Sequence, residues 1–189
     1  MERKEKLIIA SLFHDIGKLV YKVYSGDNHS NLGVDFLKNE CKIEDPDILD
    51  CVKYHHGDKL RSGNIENDSL AYIVYIADNI SAKADRRSKE KSDEIYNFKK
   101  YVPLYSVFNI LNDNNKNYKY RQRFLNNQKG INYPISEDIE YDVTYYREIL
   151  DQIKDKLYHL EFNKAYLDSL LSLLDGYLTY VLSSSNDRD

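Results

Sequence analysis

The chain has 189 residues, 42% hydrophobic and 31% charged, which suits one globular domain with a buried core and a small appendage. No apolar run approaches the roughly 20 residues of a membrane span, and Met1-Glu2-Arg3-Lys4-Glu5-Lys6 enters a helical pattern without a signal-peptide signature, so a cytoplasmic location is expected. The formal net charge of −4 excludes a globally basic nucleic-acid binder, and any such contact must use a local patch.

In chain order, the first apolar repeat runs through Leu7, Ile8, Ser11, Leu12, Leu19 and Val20 at roughly helical spacing. It predicts that His14 and Asp15, within Leu12-Phe13-His14-Asp15-Ile16-Gly17-Lys18, sit on a buried or half-buried helix, with Lys18 one turn after His14. An ionised Asp beside a His in such a place needs a cation or hydrogen bonds, and a divalent metal would serve. Alone, such a dipeptide is more often a hydrogen-bonded helix interior than a ligand set. Four of the five histidines, His14, His29, His55 and His56, fall in the first third of the chain, and dispersed imidazoles and carboxylates are how helical bundles build metal sites.

After a turn at 24–28, His29-Ser30-Asn31-Leu32-Gly33 opens a second helix through Val34, Phe36 and Leu37, which places His29 at a helix entrance. Asp45-Pro46 reads as an N-cap with proline at the first helical position, and Gly57 as the end of that helix. His55 and His56 then fall in its last turn about 100° apart, so one of them, His55 slightly ahead of His56, is expected to share a given ion. A polar loop over 58–68 leads to a strongly apolar helix whose face, Leu70, Ile73, Val74, Ala77 and Ala84, puts Asp78 beside it. A structural salt bridge is the plain alternative for that carboxylate. Lys83, Arg86 and Arg87 follow within two turns, either as phosphate-meeting cations or as a solvated helix end.

Beyond a charged connection at 88–93, the apolar stretch to Leu111 is expected to pack back on the first part of the chain. Alternation over Tyr118 to Phe124 suggests a short strand with a partner around Ile131-Asn132-Tyr133, and 141–182 reads as two helices carrying Ile149, Ile153, Leu157 and Leu160, then Leu167, Leu170, Leu171, Leu174 and Leu178. His159 stands apart from the other histidines and reads as structural. Cys41 and Cys51 lack metal-type spacing and read as reduced, buried thiols. The 18 tyrosines allow base stacking without identifying which rings do it.

The set His14-Asp15-x-Gly-Lys18, His29-Ser30-x-x-Gly33, His55-His56 and Asp78 resembles the HD superfamily of metal-dependent phosphohydrolases. With Tyr75-Ile76-Ala77-Asp78-Asn79-Ile80 and Pro103-Leu104-Tyr105-Ser106-Val107-Phe108-Asn109, it is similar to the N-terminal HD domain of the large subunit of type III-A CRISPR (Csm) effector complexes, over about residues 5–135. The resemblance implies a mainly α, circularly permuted HD fold. Its parts would be an HD domain at 1–111, a β-hairpin (118–134) and helical extension at 112–182, and a linker at 183–189.

The function it implies is hydrolysis of single-stranded DNA by metal-activated water, within a complex of other Csm subunits and crRNA. Asp15 would bridge two divalent ions, with His14 and Asp78 on one and His29 with His55 or His56 on the other. Lys18 would neutralise transition-state charge or orient the water. A nitrogen-rich set suits manganese, nickel or cobalt better than magnesium, which remains possible. In the family a further Asp-His-Ser helix lies downstream, as do palm domains with a Gly-Gly-Asp-Asp motif. This sequence reads as an N-terminal fragment without them, with one site short of a ligand and no cyclase activity. Two alternatives stay open: an HD enzyme acting on a nucleotide monomer, and a degenerate module that only docks other subunits.

Overall fold

A computed structural model describes residues 1–24, 26, 28–85, 103–111, 116–121, 133–137, 139, 142–158, 166–179 and 181. Its helices are α1 (Arg3–Phe13), α2 (Ile16–Val23), α3 (His29–Asp35), α4 (Pro46–Tyr54), α5 (Gly57–Ser62), α6 (Ala71–Asp85), α7 (Val143–Tyr158) and α8 (Leu167–Leu178). The fold is mainly α, as the periodicity predicts, and among the described residues no helix is long and apolar enough to cross a membrane.

Local chemistry accounts for the starts of α1, α3 and α4. The Glu2 backbone N–H donates to the Glu5 carboxylate at 3.0 Å, a capping box that opens α1. Asn28 accepts from the Asn31 N–H at 3.0 Å and fixes His29 as the first residue of α3. Asp45 accepts from the N–H groups of Asp47 and Ile48, and Pro46 occupies the first helical position of α4 as expected.

The predicted single helix through His14 and Asp15 is two helices. Asp15 adopts φ −102° and ψ 9°, outside the helical well, and its carbonyl accepts from the Lys18 N–H at 2.9 Å to start α2. Hydrophobic spacing cannot register this break because α1 and α2 bury against the same core. The buried face of α1 is Ile9, Ala10 and Phe13, with Ser11 exposed, so the expected stripe is rotated.

Gly57 does not close α4. That helix stops at Tyr54, the chain turns extended at His56 (ψ 143°), and Gly57 begins α5, a short helix within the expected polar loop. At α6 the buried positions are Leu70, just before the helix, and Ala71 and Val74 on it, whereas Ile73, Ile76 and Ala77 are exposed. A helix apolar on several sides does not announce which side will be covered. The side chain of Ala84 lies outside the described residues.

One hydrophobic cluster joins all of this. Phe13, Ile48 and Val52 belong to the same cluster as Tyr146, Ile149 and Ile153 of α7 and Leu170 and Leu174 of α8, with α7 packed on α2 and α8 on α1. Each such side chain, fully buried, contributes roughly 1.5–3 kcal/mol. The two terminal helices therefore brace α1 and α2, the helices flanking the His14–Asp15 break. Leu160 and His159 lie outside the described residues, and Leu171 is exposed. Cys41 and Cys51 are buried free thiols, both pushed up to about 12 chiefly by burial.

The stretch over 103–111 does not bury as expected: Val107, Phe108, Ile110 and Leu111 are exposed. Its order is polar and local. The Ser106 hydroxyl accepts from the Phe108 N–H, and Asn109 exchanges two hydrogen bonds with the Tyr118 backbone. Lys119 forms isolated antiparallel bridges to Tyr105 and to Ile135, no strand occurs among the described residues, and residues 122–132 of the expected hairpin lie outside them. The expected partner residues Ile131 and Asn132, the 88–93 connection and the 183–189 linker lie outside the described residues.

Candidate metal centre

Four elements converge on one site. The α1–α2 break supplies His14 and Asp15, the head of α3 supplies His29, the α4–α5 junction supplies His55 and His56, and the third turn of α6 supplies Asp78. Two ligand groups result: His14, Asp15 and Asp78, and His29, His55 and His56, with the donor atoms of each group within 4.8 Å of one another. The expectation that His55 and His56 diverge does not hold, because the 100° rule applies only inside a helix and the backbone leaves helical geometry between them. Nε2 of His29 lies 3.3 Å from Nε2 of His55 and 2.6 Å from Nε2 of His56. Three imidazoles thus meet without a further histidine from elsewhere in the chain.

Asp15 stands between the groups. Oδ1 lies 3.7 Å from Nε2 of His29 and 3.6 Å from Nε2 of His55, while Oδ2 lies 3.3 Å from Nε2 of His14. On the far side, Nε2 of His14 is 3.5 Å from Oδ1 of Asp78. Lys18 Nζ sits 2.9 Å from Asp15 Oδ2, so this lysine is an ion-pair partner of the bridging carboxylate and reaches the site from the first turn of α2.

The histidines are oriented from behind. Nδ1 of His14 donates to the Ser11 carbonyl at 2.8 Å and Nδ1 of His55 to the Val52 carbonyl at 2.7 Å, each three residues back. With the proton held at Nδ1, the Nε2 lone pair faces the site, the arrangement that metal-ligating histidines use. These supports are backbone atoms at helix ends, so no residue type in the sequence signals them.

The electrostatics fit a cation. Burial works against the Asp15 carboxylate, but the adjoining His14 and His55 imidazoles and the Lys18 ammonium outweigh it and hold the group well below the usual carboxylate range. Burial likewise opposes charge on His14, yet Asp15 and, more weakly, the Ser11 carbonyl and Asp78 raise its pKa. His29 is pushed down to about 4 by burial and by neighbouring His56, so it stays neutral and able to ligate. His14 Nε2 and Asp15 Oδ1 are buried without a hydrogen-bond partner, which is costly unless something positive sits between the groups. The donor set therefore fits divalent metal, with His14, Asp15 and Asp78 available to one ion and His29, His55, His56 and Asp15 to another.

Burial differs across the site. His55 and His29 are almost closed off, whereas Asp15 and Asp78 keep 35% and 31% side-chain exposure, so the site opens on the His14–Asp78 side. Lys83 is exposed further along α6, and Arg86 and Arg87 lie outside the described residues.

A model of the HD domain matches residues 1–83, a span containing all six ligand candidates. The chain is 35% identical over 198 residues to the CRISPR system single-strand-specific deoxyribonuclease Cas10/Csm1 (subtype III-A) of Enterococcus italicus, an alignment covering 98% of this chain and 26% of that protein. Among solved structures it is similar to Csm1 of T. onnurineus, with a TM-score of 0.65, 26% identity, and coverage of 97% of this chain and 25% of the other. It is also similar to a chain of a Csm1–Csm4 cassette in complex with AMPPNP, with a TM-score of 0.65, 27% identity, and coverage of 99% and 25%. The chain therefore spans about a quarter of the relatives it matches, 26% of the Enterococcus protein. On the HD match and the near-complete alignment with Cas10/Csm1 relatives, this chain belongs to the HD-domain family of type III-A Cas10/Csm1 proteins.

Proposed function

We propose that this chain is a metal-dependent nuclease domain that hydrolyses phosphodiester bonds of single-stranded DNA. One observation carries the reading: the Asp15 carboxylate turns one oxygen to His29 and His55 and the other to His14, joining two ligand groups. Divalent ions held there would supply Lewis acidity and lower the pKa of a bound water. His14, Asp15 and Asp78 would hold one ion, and His29, His55 and His56, with Asp15, the other. Lys18 screens the charge on Asp15 and stands within reach of negative charge developing on a bound phosphate. Nitrogen-rich ligation favours manganese, cobalt or nickel over magnesium.

The relatives named deoxyribonucleases support single-stranded DNA as substrate, and the exposure of Asp15 and Asp78 supports an open approach for a polymer over a closed monomer pocket. Lys83, Arg86 and Arg87 are the cations we assign to the strand. Residues 1–111 form the catalytic part and 112–182 its supporting extension, acting in the cytoplasm with other Csm subunits and crRNA. A Csm1–Csm4 cassette is the precedent for such an assembly.

The test is manganese-dependent turnover of four labelled substrates: single-stranded DNA, duplex DNA, single-stranded RNA and deoxynucleoside triphosphates. Cutting confined to single-stranded DNA is expected. Hydrolysis of triphosphates alone would replace this reading with the monomer enzyme.

A further inference from the structure

The two histidine-bearing segments nearest Asp15 are held by an unusually close helix contact. A Cβ built on Gly17, in the first turn of α2, would stand 1.7 Å from the backbone oxygen of His29, 2.6 Å from its carbonyl carbon and 2.8 Å from the Gly33 nitrogen. Contacts under about 3 Å to backbone cannot be relieved by a side-chain rotation. Gly33, in the same helix as His29, answers from the other side: its Cβ would meet Gly17 N at 3.2 Å and the Val52 Cγ1 methyl at 3.1 Å. Both glycines have helical backbone, so their role is space and not unusual torsion.

We infer that Gly17 and Gly33 form a spacer-free contact that positions His29 in the three-histidine group, with Gly17 the dominant member. This inference rests on the two-ion reading of the site. The connection is direct: the atom that any side chain at 17 strikes first belongs to the backbone of His29 itself, and Gly17 lies two residues after Asp15. One short segment thus presents the bridging carboxylate and sets the distance to its partner imidazole, 3.7 Å from Asp15 Oδ1 to His29 Nε2. A shift of α3 sufficient to admit a methyl exceeds the roughly 0.5 Å tolerance of a working site. His14 and Asp78 come from the α1–α2 break and α6 and lie outside this contact. The group they form with Asp15 is therefore disturbed less than the three-histidine group.

The experiment compares the parent chain with Gly17→Ala and Gly33→Ala. Manganese titration reads the ion affinities, circular dichroism reads folding, and ring-proton NOEs in metal-free protein read whether His29 still meets His56, whose ring centroid is 4.7 Å away in the T-shaped pair. In Gly17→Ala we expect the His29–His56 NOE to vanish and one ion to bind at least 100-fold more weakly, with the other weakened far less. Gly33→Ala meets a movable methyl, so it is expected to fold like the parent and to weaken the same single ion about 10-fold. Should Gly17→Ala fail to fold, Gly33→Ala carries the test. The inference is overturned if folded variants keep the NOE and both affinities, if both ions weaken equally, or if neither variant folds. A parent that binds no ion contradicts the two-ion reading instead, and the NOE comparison still decides the positioning claim.

Discussion

Oδ1 of Asp15 lies 3.6 Å from Nε2 of His55, a ring wholly buried and locked from behind by the Val52 carbonyl, while Oδ2 of the same carboxylate pairs with Lys18. Asp15→Asn keeps the shape but removes the charge that both ligand groups share. Manganese titration and cleavage assays are expected to show weakened binding at both groups and activity reduced by more than about 100-fold, since losing even a residue behind a ligand costs roughly 10–100-fold. Retention of both ions by Asp15→Asn would contradict the bridging role.

The histidines of the metal-free chain titrate in opposite directions. His29, pushed down to about 4, favours the fold most above its ordinary value of 6.5, and that contribution is lost as pH falls toward 4. His14 is raised above 6.5, so its contribution is full below that value and fades as pH rises through its folded pKa. Between about pH 4 and pH 6.5, imidazole NMR of chelated protein should show His14 charged and His29 neutral. His29 charging ahead of His14 on acidification would refute this ordering.

Lys83 is exposed on α6, the helix that carries Asp78. If it contacts a phosphate of the strand, Lys83→Ala lowers single-stranded DNA affinity at low salt and reduces the slope of log K against log salt by about 0.7. An unchanged slope in a filter-binding series with a non-cleavable strand would remove Lys83 from the interface.

Ile153, at the centre of α7, is fully buried in the cluster shared with the helices that hold the site. Ile153→Ala should cost roughly 2–5 kcal/mol in denaturant unfolding, with a single transition. A loss well under about 1 kcal/mol would mean that α7 is not an integral part of that core.

Much of this site is legible in the residues themselves. His29 announces itself by following a turn at the start of a helix, and Asp78 by interrupting an apolar run, because both signals are local. The break at Asp15 is hidden since the two short helices bury on a common core and keep one periodicity. The convergence of His55 and His56 is hidden for a related reason: it depends on where the helix stops, and helix ends are set within a residue or two by competing caps. The exposed Ile73 and Ile76 show the limit from the other direction, since composition reports that a helix is apolar but not which neighbours reach it.

The most direct test of the account is cleavage of end-labelled single-stranded DNA by this chain with manganese, beside an EDTA control and the His14→Ala/Asp15→Ala variant. The account predicts cutting that requires the metal and disappears in the variant. Cutting that survives the loss of both residues would contradict it, because the hydrolysis would then arise outside the centre they define.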